Sequence, residues 1–143
     1  MRRRENEAKK SFSARWHPRT LDEAHARSER VGVAFNVLTE RYVQEGLRMD
    51  THPLISFRDG AAGRRPALLG TRLDVAQVIS TIKQNDNSAK EAAEYLRLPL
   101  SHVEACVRYY SDYRDEIESW LTRDEEEAEA AEISWRRSQE IFA

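Results

Sequence analysis

The chain has 143 residues, room for one ordinary domain or two very small ones, and a piece of about 50 residues buries little core by itself, so partners or dimerisation are expected. Charged residues make up 34% of the sequence, and no apolar run approaches the roughly 20 residues of a membrane span, which excludes a helix crossing a bilayer. The net charge of −2 argues against a general nucleic-acid coat, but it is unevenly spread: residues 1–19 hold seven Lys and Arg against two acids (+5), and residues 122–143 hold three Arg against seven acids (−4).

Residues 1–10 read as a disordered basic arm. Arg2-Arg3-Arg4 is followed by no apolar stretch, so a secretory signal is not expected. Cys106, as the single cysteine, has no intramolecular disulfide partner, and a cytoplasmic location is expected. Next comes Phe12-Ser13-Ala14-Arg15-Trp16, which alternates with the period of a strand. Phe12, Ala14 and Trp16 share one face, and Ser11, Ser13 and Arg15 the other.

Helix signals follow: Thr20 with Glu23 as a cap, a small-residue stripe of Leu21, Ala24, Ser28 and Val31, and Gly32 as the stop. A second helix begins near Ala34, with Phe35, Leu38, Tyr42, Val43 and Leu47 along one side. One strand and two helices leave the strand's backbone groups unpaired and the core open, so two copies are expected to pair their strands antiparallel. Ser11, Ser13 and Arg15 would then face outward as a ribbon suited to a major groove.

The run Phe12-Ser13-Ala14-Arg15-Trp16 with Pro18-Arg19 and Gly32 resembles the ribbon-helix-helix repressors of the Arc type, over roughly 40 residues. The resemblance implies a dimeric DNA-binding module over 11–50, with base contacts from Ser11, Ser13 and Arg15. It also implies phosphate clamping by the backbone at Ala34, Phe35 and Asn36, where a helix N-terminus offers its N–H groups.

From residue 51 to 121 the pattern changes. Gly63 and Gly70 mark tight turns with a short strand between them. Val75, Val78, Ile79 and Ile82 form one helical stripe, broken by Asn85-Asp86-Asn87. Ser88 with Glu91 caps the next helix, whose inner face is Ala92, Ala93 and Leu96, and Pro99 forces a turn. Ser101 with Glu104 is expected to cap a third helix, running about five turns through Val103, Cys106, Val107, Tyr110, Ile117 and Leu121.

A short helix, a turn and a longer helix outline a helix-turn-helix, with Ser101 and His102 near its recognition end as a second possible DNA reader. The string from Gly63-Arg64-Arg65-Pro66 through Gly70-Thr71-Arg72 is similar to the family labelled domain of unknown function 433, over about 65 residues. That resemblance associates the segment with VapB-type antitoxins and a winged-helix-like arrangement. It leaves open whether this module reads bases or serves dimerisation and packing.

Residues 122–143 are acidic, of high helix propensity, and end in Ile133, Trp135, Arg136, Arg137, Ile141 and Phe142. With no partner in the chain for these large groups, the tail is expected to be disordered until it folds onto something. The resemblance to VapB-type antitoxins implies a PIN-type ribonuclease toxin as that partner, with Arg136 or Arg137 entering its acidic site and Trp135 and Phe142 anchoring in apolar grooves.

No phosphate loop, nucleophile elbow or zinc-binding His-Glu-x-x-His is present, and the histidines lack metal-ligand spacing, so neither an enzyme nor a metal or cofactor site is expected. The fold class expected is mainly α: ribbon-helix-helix, helix-turn-helix, helical tail. Its function is expected to be that of an antitoxin which binds operator DNA as a dimer or higher oligomer and neutralises a toxin. Two alternatives stay open: an adaptor that never touches DNA, and a repressor reading DNA through the middle helix-turn-helix alone.

Overall fold

A computed structural model describes residues 7–143. The expected contacts of Arg2, Arg3 and Arg4 lie outside the described residues. The chain divides into two compact units, the first ending at Asp50 and the second beginning at Thr51. Its architecture is mainly helical, with one two-stranded antiparallel sheet among the described residues. No helix among them is long and apolar enough to cross a membrane.

In the first unit, residues 7–17 carry no regular structure and lead into helix α1 (Pro18–Val31). The helix starts two residues before the expected Thr20 cap. Pro18 has no N–H to leave unsatisfied and its fixed φ suits a first helical position, so His17 becomes the N-cap without a side-chain bond. Gly32 ends the helix at φ 67, a left-handed conformation that a Cβ penalises. The Ser28 hydroxyl closes the turn by donating to the Val33 carbonyl at 2.5 Å. Helix α2 (Phe35–Thr51) follows, its first bond running from the Leu38 amide to the Ala34 carbonyl.

Leu38 is the one fully buried apolar side chain in this unit's described residues, while Leu21, Val37 and Val43 stay exposed. The strand expected at Phe12–Trp16 is not formed in the single chain, and Phe12 is 88% exposed. Residues 12–16 pair with no other strand among the described residues, and an isolated extended segment has nothing to satisfy its backbone groups but water.

The second unit opens with a hairpin of β1 (Ile55–Gly60) and β2 (Gly63–Leu68), paired antiparallel from Ile55 opposite Leu68 to Gly60 opposite Gly63. Helices α3 (Val75–Gln84), α4 (Ala89–Leu96) and α5 (Leu100–Asp112) follow, then the 27-residue α6 (Arg114–Glu140). Ile55, Leu68, Val75, Val78, Val103 and Tyr109 belong to one buried cluster, to which α6 contributes Ile117. Each such side chain contributes about 1.5–3 kcal/mol by leaving water.

Three element boundaries differ from expectation. Helix α5 starts at Leu100 with Pro99 as N-cap, so Ser101 sits inside the first turn and caps nothing. The long third helix breaks at Tyr113, which leaves helical geometry at φ −128 and ψ 44. Finally, the tail is neither separate from the middle segment nor unstructured: residues 122–140 continue α6, whose earlier turns are anchored in the core.

Candidate nucleic-acid and partner-binding surfaces

The residues named for DNA contact in the first unit fall in two places. Ser11, Ser13 and Arg15 are all exposed in the segment before α1. That segment touches α2 at two points: the Lys9 ammonium donates to Glu40 at 3.1 Å, and the Trp16 ring sits 6.1 Å from the Phe35 ring. His25 stacks on Phe35 at 4.0 Å, so the first turn of α2 is held by aromatic packing from α1 and from the arm. Ala34 and Asn36 are exposed, and the first-turn amides of α2 have no partner inside the helix. Residues 7–17 hold Lys9, Lys10 and Arg15 against Glu7, a net charge of +2, with Lys9 paired to Glu40 and the following Arg19 paired to Glu23.

In the second unit, α4 and α5 are separated by Arg97, held left-handed at φ 56, and by Leu98 and Pro99. Ser101 is exposed and His102 half-buried in the first turn of α5, but Glu104 is exposed one turn on and repels phosphate. Cys106 is fully buried on α5, and burial pushes its thiol up to about 12, as befits a packing residue rather than a nucleophile.

Trp135, Arg136, Arg137 and Phe142 are all exposed at the far end of the chain, but they do not form one site. Trp135 lies on the helical face that carries Ile117 and Leu121 and Phe142 lies past the end of α6, whereas Arg136 donates to Glu132, one turn earlier, at 2.5 Å.

The most densely bonded polar cluster was not foreseen. Arg65 on β2 donates to both oxygens of Asp124 on α6, at 2.6 and 2.9 Å, and to Asp74 at 3.4 Å. Its guanidinium lies 4.1 Å from the ring centre of Trp120. The Asp124 hydrogen bond raises the Arg65 pKa, against desolvation, which lowers it. Asp74 also caps α3 reciprocally with Gln77, a spacing of three residues readable in the sequence. Beside this cluster an open groove of about 810 Å³ runs between the hairpin, α3 and α6, lined among others by Arg72, Gln77, Thr81, Leu121 and Ala128.

A second polar contact ties the start of this unit to α5: buried His52 lies 2.8 Å from the Asp112 carboxylate and edge-on to Tyr109. No family profile, no curated protein and no solved structure matches this chain.

Proposed function

We propose that the chain is a dimeric DNA-binding repressor of the antitoxin kind, in which two copies pair residues 11–16 into a ribbon that enters the major groove of an operator. Ser11, Ser13 and Arg15 make the base contacts, and the α2 N-terminus at Ala34, Phe35 and Asn36 receives a phosphate. The C-terminal part of α6 captures a second protein, a PIN-type ribonuclease toxin in this reading. The observation that carries the proposal is the unfinished first unit: two helices with one fully buried apolar side chain, Leu38, beside a cationic arm whose Phe12 is 88% exposed. A second copy that buried Phe12, Val37 and Val43 would complete the core and place the arm's polar face outward.

The test is a titration of the full chain with the duplex lying upstream of its own reading frame. Several phosphate contacts per dimer predict an affinity loss of roughly 10³-fold or more between about 50 and 200 mM salt. Arg15→Ala should weaken binding about ten- to a hundredfold, and Ser101→Ala should leave it unchanged. A flat salt response sinks the DNA reading in favour of an adaptor. Sensitivity at Ser101 but not at Arg15 moves the reader to the helix-turn-helix.

A further inference from the structure

Half of the large apolar side chains left exposed among the described residues lie between positions 7 and 50, under a third of the described length. Four of them crowd one face of α2. Seen down the helix axis, Gly46 has Tyr42 and Met49 on one side and Val43 and Leu47 on the other, with Val43 58% and Leu47 63% exposed. Nothing in the single chain calls for a glycine there. Inside a helix it costs about 0.5–1 kcal/mol relative to alanine, and its use is to let another backbone come close. Gly46 does not adopt a positive φ, and a Cβ built on it meets nothing within 4 Å among the described residues.

Two rows of side chains at four-residue spacing run along this face: Thr39, Val43 and Leu47 in one, Tyr42, Gly46 and Asp50 in the other. The first is a ridge, and the second is a ridge notched at its centre. Laid antiparallel against a second copy, the two rows match position for position. Val43 of one copy enters the notch at Gly46 of the other, Leu47 meets Tyr42, and Thr39 meets Asp50, each contact made twice about a two-fold axis. Apolar groups then face apolar groups, and the one charge in the two rows stands opposite a neutral side chain. A parallel arrangement would set Asp50 against its own copy, and like charges repel. The face is thus its own complement, whereas it offers a partner of other chemistry no charge to match beyond Asp50.

We propose that α2 crosses the α2 of a second copy, antiparallel and with the Gly46 notches at the crossing, and that this contact rather than the arm carries most of the association. The proposal rests on the reading of the chain as a dimer, and it names the surface on which the two copies meet. It also gives a reason for Val43 and Leu47 to stand in water in the single chain.

Sedimentation equilibrium of the full chain measures the dimer dissociation constant. Gly46→Ala puts a methyl group into each notch and should raise that constant at least tenfold, even though the same change favours the helix in each copy. Circular dichroism should accordingly show no loss of helix, which separates a blocked crossing from a misfolded chain. Gln44→Ala, on the opposite side of α2, should change the constant less than twofold. Ala14→Pro removes one N–H from any strand pairing of the arm and should weaken the dimer less than Gly46→Ala does. A dimer unchanged or tightened by Gly46→Ala would overturn the crossing and leave the dimer reading standing. A larger effect of Ala14→Pro would overturn it too, by moving the association to the arm. A parent chain with the mass of one copy at every concentration would overturn the crossing and the dimer reading together.

Discussion

Arg65 shows how a single side chain sets the direction of the longest helix. Its guanidinium reaches Asp124 on α6 and Asp74 at the start of α3 while lying against Trp120, so the hairpin, α3 and α6 are tied at one point. Arg65 and Asp124 are 59 positions apart, and neither is marked by local spacing, which is why this cluster is not legible in the sequence. A second polar link joins α3, α5 and α6: Lys83 donates to Glu118 at 2.8 Å, and the Tyr110 hydroxyl donates to the same carboxylate oxygen. The Lys83 hydrogen bond, followed by that of Tyr110, holds the Glu118 carboxyl below its ordinary 4.5. A carboxyl depressed in the folded state stabilises the fold above its unfolded pKa, and that contribution is lost as pH falls through the folded value. Glu118→Gln should therefore lower the melting temperature at neutral pH, with the difference from the parent chain closing as pH drops below 4.5. A difference that persisted or grew in acid would contradict the assignment. The effect will be small, because both side chains are more than a third exposed and water screens the pair.

At the scale of elements, the stops and caps that depend on one residue's own chemistry were legible. Gly32 ends α1, Asp86 and Asn87 sit at positive φ where α3 stops, and the Ser88 hydroxyl accepts the Glu91 amide at the start of α4. What failed were boundaries set by packing or by backbone geometry. Pro18 starts α1 ahead of a plausible cap at Thr20, and Tyr113 interrupts a continuous apolar stripe by leaving helical geometry at φ −128 and ψ 44, which no local residue signal marks. Strand β1 is weakly marked in the sequence although Ile55 and Phe57 alternate with Ser56 and Arg58, since only the segment between Gly63 and Gly70 carries a turn signal at both ends. Gly63 closes that hairpin at φ 116, and a Cβ there would stand 3.4 Å from the Trp120 ring. Gly63→Ala should destabilise the second unit by about 1–3 kcal/mol, chiefly through backbone strain. Urea unfolding followed by Trp fluorescence measures it, and a variant as stable as the parent would show that the turn relaxes at no cost.

For the whole molecule, the uneven spread of charge is plain in the sequence and the contacts are not. The cationic head, the nearly neutral middle and the acidic tail are visible from charge alone, and the mainly helical class follows from the 3.6-residue stripes. The helical state of the tail is not legible in its composition, which says nothing of nucleation. Acidic, alanine-rich residues 122–140 would be marginal alone, but α6 grows from turns already fixed by Ile117 and by the Asp124–Arg65 pair, and each further residue needs only propagation. The opposite holds at the other end. The arm before α1 has strand-like alternation but pairs with no strand of the described residues and stays irregular. The account therefore depends on what a second copy does to residues 11–16. Amide hydrogen exchange of the full chain across a concentration series, with mass measured in the same samples, tests this most directly. Pairing predicts slowed exchange at residues 12–16 wherever the mass is twice the 16.6 kDa of one chain, and loss of that protection on dilution to the monomer. Fast exchange of these amides in a fully dimeric sample, or a mass of one chain at every concentration, would contradict it.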